Sequence, residues 1–343
     1  MKRFLFPEDA KFYKANLHAH TCLSDGKLTP AELKAAYKAK GYHAVAFTDH
    51  EALIGHKELC DEGFIALHGY ETAIKEFNGV STLKNFSLKV HHINFIKKKQ
   101  DDLTQFCFYP ENFTPGNCKQ QIPFIRYVGE PCVYSYETEF VNHLIQEAHQ
   151  NGCLVHYNHP RWSLQSAATL KVLRGIDALE VFNTGCINHG DYDDGVYEEL
   201  LRSGIRCFVV GGDDNHNGTC EAERAHFDDS FGGFTMIAAK RFSYEGLTEA
   251  LEKGHSYASS GPQIYSLYVE DGYLICHTSP AARIVLHSEG RWTETVKGED
   301  GYVDRAAFPL AKEKVGDYFR LEIVDKNGDR AYTHAYSTDE YLD

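Results

Sequence analysis

A chain of 343 residues with 43% hydrophobic and 24% charged side chains exceeds the usual length of one compact domain and can bury a sizeable core. Its formal net charge of −14 excludes extended contact with duplex nucleic acid, which needs clustered Lys and Arg. No stretch reaches the roughly 18 to 20 continuous apolar residues of a membrane span, and the ten cysteines lack the pairing of a disulfide framework or a zinc ribbon.

The first residues, Met1 to Asp9, are too short in apolar character for a secretory core, so the expected location is cytoplasmic. From about residue 16 to 260, short apolar runs end in polar or metal-type residues and are followed by helix-like segments. That is the rhythm of an α/β fold with parallel strands. The first run leads into His18-Ala19-His20 and then Asp25. On a strand, side chains alternate with period two, so His18 and His20 can reach one cation from the same face. A helix is predicted over 30–40, with Thr29 as cap, Pro30 in the first turn, Glu32 completing a capping box and Gly41 ending it. Ala44 to Phe47 then runs into Asp49-His50, and Phe64 to Leu67 into Gly69-Tyr70-Glu71. A carboxylate such as Glu71 can bridge two cations whose shells imidazoles complete, a donor set suited to Zn, Mn or Fe.

His91-His92 precede an apolar Ile-Asn-Phe run, and residues 97–137 break the rhythm with many aromatic residues among Pro and Gly. An insertion of this kind is expected to be an ordered covering element, either an active-site lid or an edge or dimer contact. Further helices are predicted near 138–151, 195–203 and 243–253. Between them fall His156, His159-Pro160, a strand Ala178 to Phe182, and a strand leading into Asp213-Asp214-Asn215-His216. His91 competes with His92, His156 with His159 and Asp213 with Asp214 for single ligand positions. After Gly261-Pro262 the pattern changes to short alternating stretches, which predicts a small all-β domain over 263–343 behind a metallohydrolase domain over 1–262.

Together these positions resemble the polymerase and histidinol phosphatase (PHP) family of metal-dependent phosphoesterases. The resemblance rests on His18-x-His20, Ser24-Asp25-Gly26, Thr48-Asp49-His50, Gly69-x-Glu71, His92, His159-Pro160 and Asp214-x-His216, in the family's order over roughly 13–262. It implies an α/β fold, a distorted (βα)7 TIM-like barrel, with two or three divalent metals. By the same resemblance His18, His20, Glu71 and Asp214 hold one metal, and Glu71 bridges to a second held by His92 and His159. Asp25, His50 and His216 hold the third.

The expected substrate is a small phosphorylated molecule attacked by water, with Glu71 and Asp214 at the catalytic centre. His189, His226 and Asp49 are candidates to protonate the leaving group. Arg161 and Arg224 are candidates to bind phosphate, since a guanidinium grips it bidentately. The same cluster also suits amide, carbamate or ester hydrolysis. A non-catalytic metal-binding module is the reading from another class.

Overall fold

The computed structural model describes residues 2–79, 88–131, 133–189, 192–298 and 300–342, with backbone alone at 78, 79 and 187–189. It is a mixed α/β fold organised on one large sheet. The first nine strands of that sheet are β1 (Lys11–Asn16), β2 (Ala44–Phe47), β3 (Ile65–Lys75), β4 (Val90–Lys97), β5 (Cys153–Tyr157), β6 (Ala178–Asn183), β7 (Phe208–Gly212), β8 (Phe234–Ala239) and β9 (Ser256–Ser259). Their spatial order is β7-β6-β5-β4-β3-β2-β1-β8-β9.

Four helices behave as the sequence predicts. In α1 (Pro30–Ala39), Thr29 and Glu32 form the reciprocal capping box, so two otherwise orphaned donors are satisfied. The others are α2 (Thr138–Gln150), α4 (Asp194–Arg202) and α5 (Tyr244–Glu252), with a single-turn α3 (Ala167–Leu170) between α2 and α4. The buried stripe Val141, Leu144, Ile145 and Ala148 of α2 belongs to the same apolar cluster as Ile93, Phe95 and Val155 of the sheet.

Strand direction departs from the expected all-parallel rhythm. β1-β2-β3 and β5-β6-β7 are parallel, but β4 runs antiparallel to both β3 and β5, and β8 antiparallel to β1. β3 and β4 are buried on nearly every residue, so they show no alternation from which orientation could be read. β3 is also longer than expected. β2 ends opposite His68, and beyond that point β3 is carried forward to Lys75 by its pairing with β4. Glu71 therefore lies inside a strand rather than at its end.

The ladder does not run continuously round a barrel. Among the described residues the large sheet is an open path, and β7 meets β1 and β8 through other links. The Asp214 N–H donates to the His18 carbonyl at 2.9 Å, and the His20 N–H to the Asn215 carbonyl at 3.0 Å. The Thr235 hydroxyl of β8 bonds the Gly211 N–H at 3.0 Å and its carbonyl at 2.9 Å. This seam fixes the segment after β7 against the segment after β1.

Beyond Gly261 the chain forms β10 (Ile264–Glu270), β11 (Tyr273–Ala281), β12 (Arg283–Ser288), β13 (Thr293–Lys297), β14 (Val303–Pro309), β15 (Tyr318–Val324) and β16 (Arg330–Tyr332), with two single-turn helices. β16 pairs with β9, so β16, β15, β12 and β13 extend the large sheet, while β10, β11 and β14 lie in a second one. One apolar cluster joins Val45 and Phe47 to Leu274, Phe308 and Leu321. The buried Arg320 of β15 is ion-paired with Glu198 of α4.

The insertion is ordered around a small core of Phe108, Phe113, Cys118 and Ile125 with Ala52. It docks on two loops of the sheet rim. Asn117 donates from its backbone to the Ser24 carbonyl at 2.6 Å and from its side chain to the Cys22 carbonyl at 3.0 Å. Tyr134 donates to the Glu51 carboxylate at 2.8 Å.

Candidate metal centre

Six strands deliver polar side chains to one end of the sheet. His18 and His20 follow β1, Asp25 lies on the next turn, His50 follows β2, Glu71 and His92 sit within β3 and β4, His159 follows β5, and Asp214 and His216 follow β7. Three overlapping groups result whose ligand atoms lie within 4.8 Å of one another: His18, His20, Glu71 and Asp214; Glu71, His92 and His159; and His20, Asp25, His50 and His216. Each could hold a cation.

Glu71 stands at the junction. Its Oε1 lies 3.3 Å from His18 Nε2, 2.9 Å from His92 Nδ1 and 3.5 Å from His159 Nε2. Its Oε2 lies 3.1 Å from His50 Nδ1 and 3.5 Å from His20 Nε2. Asp214 Oδ1 is 3.1 Å from His20 Nε2 and 3.3 Å from His18 Nε2. Asp214 has φ +52°, so the alternation of an extended strand does not reach it, and the left-handed turn rather than strand period aims its carboxylate.

Several atoms of these residues are buried without a hydrogen-bond partner: Nδ1 of His20, His50 and His92, Nε2 of His159 and Oε2 of Glu71. Buried polar groups left in that state cost about 1 to 3 kcal/mol each. Their convergence on shared space, from a set of imidazoles and carboxylates, fits divalent cations.

The electrostatics lean the same way. Burial opposes the charge on Glu71, but His92 and His18 hold its pKa well below the usual carboxylate value. Burial likewise opposes charge on Asp214 and Asp25, and neighbouring histidines lower both, His18 for the first and His50 for the second. Burial with the nearby His216 and His50 pushes His20 down to about 3, leaving a neutral imidazole. His18 is the opposite case: burial works against protonation, yet Asp214, Glu71 and Glu180 raise it well above the ordinary histidine value.

In each competing pair the structure brings one member to the cluster. His92 is there; His91 instead meets the Tyr157 hydroxyl at 2.7 Å and stacks on Tyr136. His159 is there; His156 is buried in β5, opposite Asn94. Asp214 is there; the Asp213 carboxylate is filled by the Tyr37 and Thr184 hydroxyls and the Phe231 and Gly233 N–H groups at 2.5 to 2.9 Å.

Asp49 turns into the 21–24 loop, accepting the Thr21 N–H and hydroxyl at 2.8 Å and the Ser24 hydroxyl at 2.7 Å. Arg161, Arg224 and His226 are exposed, and Arg161 is anchored through its backbone N–H, 3.2 Å from Asp193. The backbone of His189 ends a short turn of helix, and its side chain lies outside the described residues.

The sequence reading missed Glu180. Buried in β6, it places Oε1 3.2 Å from His18 Nδ1 and accepts the His159 N–H at 3.2 Å and the Asn183 amide at 2.8 Å. A carboxylate on the far nitrogen of an imidazole fixes its tautomer and orientation. Asn158 was missed too, and donates to Glu71 Oε1 at 2.8 Å. The available signal was a lone Glu inside an apolar strand.

The family model described as PHP domain matches residues 16–192 of the 343. The chain belongs to the PHP-domain family. Proteins of this family bind divalent metals, and the buried His, Glu and Asp groups of this PHP protein fit that property. An uncharacterized protein of Methanocaldococcus jannaschii is 41% identical over 51 residues, which are 15% of this chain and 23% of that protein, so the match spans less than a quarter of the relative's length. A two-domain protein from Bacteroides vulgatus, described as containing a predicted PHP-like metal-dependent phosphoesterase, aligns with TM-score 0.44 and 15% identity over 97% of this chain and 98% of its own. An amidohydrolase from Chromobacterium violaceum with bound sulfate and no metal aligns with TM-score 0.39 and 15% identity over 59% of this chain and 87% of its own. No helix among the described residues is long and apolar enough to cross a membrane.

Proposed function

We propose that this PHP protein is a phosphoesterase that cleaves a small phosphorylated metabolite or nucleotide by attack of water. The observation that carries the reading is Glu71, a buried carboxylate shared by the group of His18, His20 and Asp214 and the group of His92 and His159. In this reading His18, His20, Glu71 and Asp214 would hold one cation, and Glu71, His92 and His159 a second. His20, Asp25, His50 and His216 offer a third position. Zn, Mn or Fe bound there would lower the pKa of a water toward neutrality and polarise a phosphoryl oxygen.

The chain's own groups do the rest. Ser163 contacts His159 Nδ1 at 3.1 Å and Glu180 contacts His18 Nδ1, so both rings present Nε2 to the centre. Arg161, on the loop directly after His159, is proposed to bind a phosphate oxygen, with Arg224 as a second contact. His189 is proposed as the proton donor to the leaving alkoxide. The insertion is anchored on the loops that carry Asp25 and His50, and is proposed to cover that side of the centre.

Phosphate release across sugar phosphates, amino-alcohol phosphates, mononucleotides and short oligonucleotides tests the proposal, using protein reconstituted with Mn or Zn and Asp214→Ala as the blank. Release that vanishes in the variant is expected. Silence across the panel with metal bound would overturn the phosphoesterase reading in favour of an amide or ester bond.

A further inference from the structure

We propose that Trp162 is a stacking surface for a planar ring in the substrate, so that the ester cleaved here carries an aromatic or heterocyclic group near its phosphate. This rests on the phosphoesterase reading of the same centre and names its substrate class.

Trp162 stands on the loop after β5, three residues past His159. Its indole lies against two cluster rings, with centroids 5.3 Å from His92 and 5.2 Å from His159. The planes are inclined by 46° and 80°, so neither histidine lies flat on the indole. The side chain nonetheless remains 38% exposed, whereas His159 is 1% and Ser163 0% exposed. A large aromatic side chain held at the mouth of a polar centre, and left in contact with water, is a common way of binding an apolar ring.

The loop under it is fixed. The Ser163 N–H bonds the His159 carbonyl at 3.1 Å, the Gln165 N–H the Pro160 carbonyl at 2.8 Å, and the Val90 N–H the Ser163 carbonyl at 3.2 Å. The Gln165 side chain donates to the Val90 carbonyl at 2.8 Å and to the Tyr136 hydroxyl of the insertion at 2.7 Å. Seven residues are thus tied to β4 and to the insertion, yet the indole at their centre is not drawn into the core. A pre-ordered surface loses little freedom on binding, which is where stacking gains its affinity. With the metal groups beside it, the indole makes a two-point site: anion recognition at the centre and ring recognition about one side chain away.

Adenosine 5′-monophosphate and ribose 5-phosphate differ only in the ring, and they make the test. In metal-reconstituted protein, Trp162→Ala should raise KM for the nucleotide about tenfold, within the range of base–aromatic stacking, with a much smaller change for ribose 5-phosphate. kcat should change little, and Trp162→Phe should restore most of the loss. Trp162 is one of two tryptophans, so a Trp292→Phe background makes it the sole indole reporter. There the nucleotide should quench fluorescence and ribose 5-phosphate should not.

Equal KM changes for the two esters, or loss of bound metal in Trp162→Ala, would overturn the proposal by showing that the indole only packs the histidines. If the unsubstituted protein hydrolyses neither ester, the wider panel decides the phosphoesterase reading, and the quenching arm alone decides the ring contact. Quenching by the nucleotide then upholds it, and equal quenching by both ligands overturns it.

Discussion

Asp49 shows how one side chain can be legible in kind and misread in role. Its position beside His50 made it a candidate acid, but the folded chain surrounds its buried carboxylate with donors from Thr21 and Ser24, and thereby shapes the turn that carries Asp25. An amide cannot accept from all of them. Asp49→Asn should therefore lower stability by about 1 to 3 kcal/mol, read as a shifted urea midpoint in metal-free protein, since charge-assisted bonds are lost and buried donors left facing an NH2 group. An unchanged midpoint would mean that the carboxylate does not organise the turn. Glu180 makes the complementary prediction. Glu180→Gln keeps its shape but removes the charge behind His18, and it should weaken metal binding about 10- to 100-fold in a competition titration while leaving the fold intact. The His-x-His, Asp-His and Asp-x-His motifs were readable because ligand-type residues cluster at neighbouring positions in sequence. Glu180, Asn158 and Asn183 were not, because each acts through a partner brought near only by folding.

Elements were legible where local chemistry decides them. The capping box of α1 and the positive-φ glycines Gly41, Gly204 and Gly254 past helix ends each need only a few adjacent residues. Strand direction and length were not, because β3 and β4 are buried on both faces and their pairing is a long-range choice. The docking of the insertion is another long-range choice, centred on Glu51. This buried residue holds φ +61° and accepts from the Ala73 N–H at 2.9 Å, from the Asn112 amide at 2.5 Å and from Tyr134. Tyr134→Phe removes a single hydroxyl and leaves Glu51 Oε2 short of a donor in a dry place. The expected loss is about 1 to 3 kcal/mol, expressed first in the insertion. Limited proteolysis should cut between 110 and 130 faster in the variant than in the unsubstituted protein. Equal cleavage rates would show that the Tyr134–Glu51 bond does not secure the insertion.

At the scale of the molecule, histidines away from the centre also tie stability to pH. His56, His68 and His334 are buried away from it, and burial pushes them down to about 4, 4 and 3. The geometry agrees: the His56 N–H donates to His68 Nε2 at 3.1 Å, which requires that nitrogen to be unprotonated, and His334 packs between Phe208 and Tyr336 with centroids at 4.9 and 4.3 Å. All three folded values lie below the ordinary 6.5, so between pH 6.5 and about 4 the unfolded chain binds protons that the folded chain refuses. Their contribution is therefore complete above pH 6.5 and is lost as the pH falls through that window. Between pH 7 and 5 each histidine should remove about 2 kcal/mol of stability, a large share of the ~5 to 15 kcal/mol that a folded domain holds. Chelated protein removes the competition between cluster protonation and bound metal, and comparison with a variant then isolates this term. Urea titrations at the two pH values should show His68→Gln/His334→Gln losing about 4 kcal/mol less than the unsubstituted chain on acidification, although the variant starts from lower stability at pH 7. Equal losses in the two proteins would place the acid sensitivity in the carboxylate and imidazole groups of the centre instead.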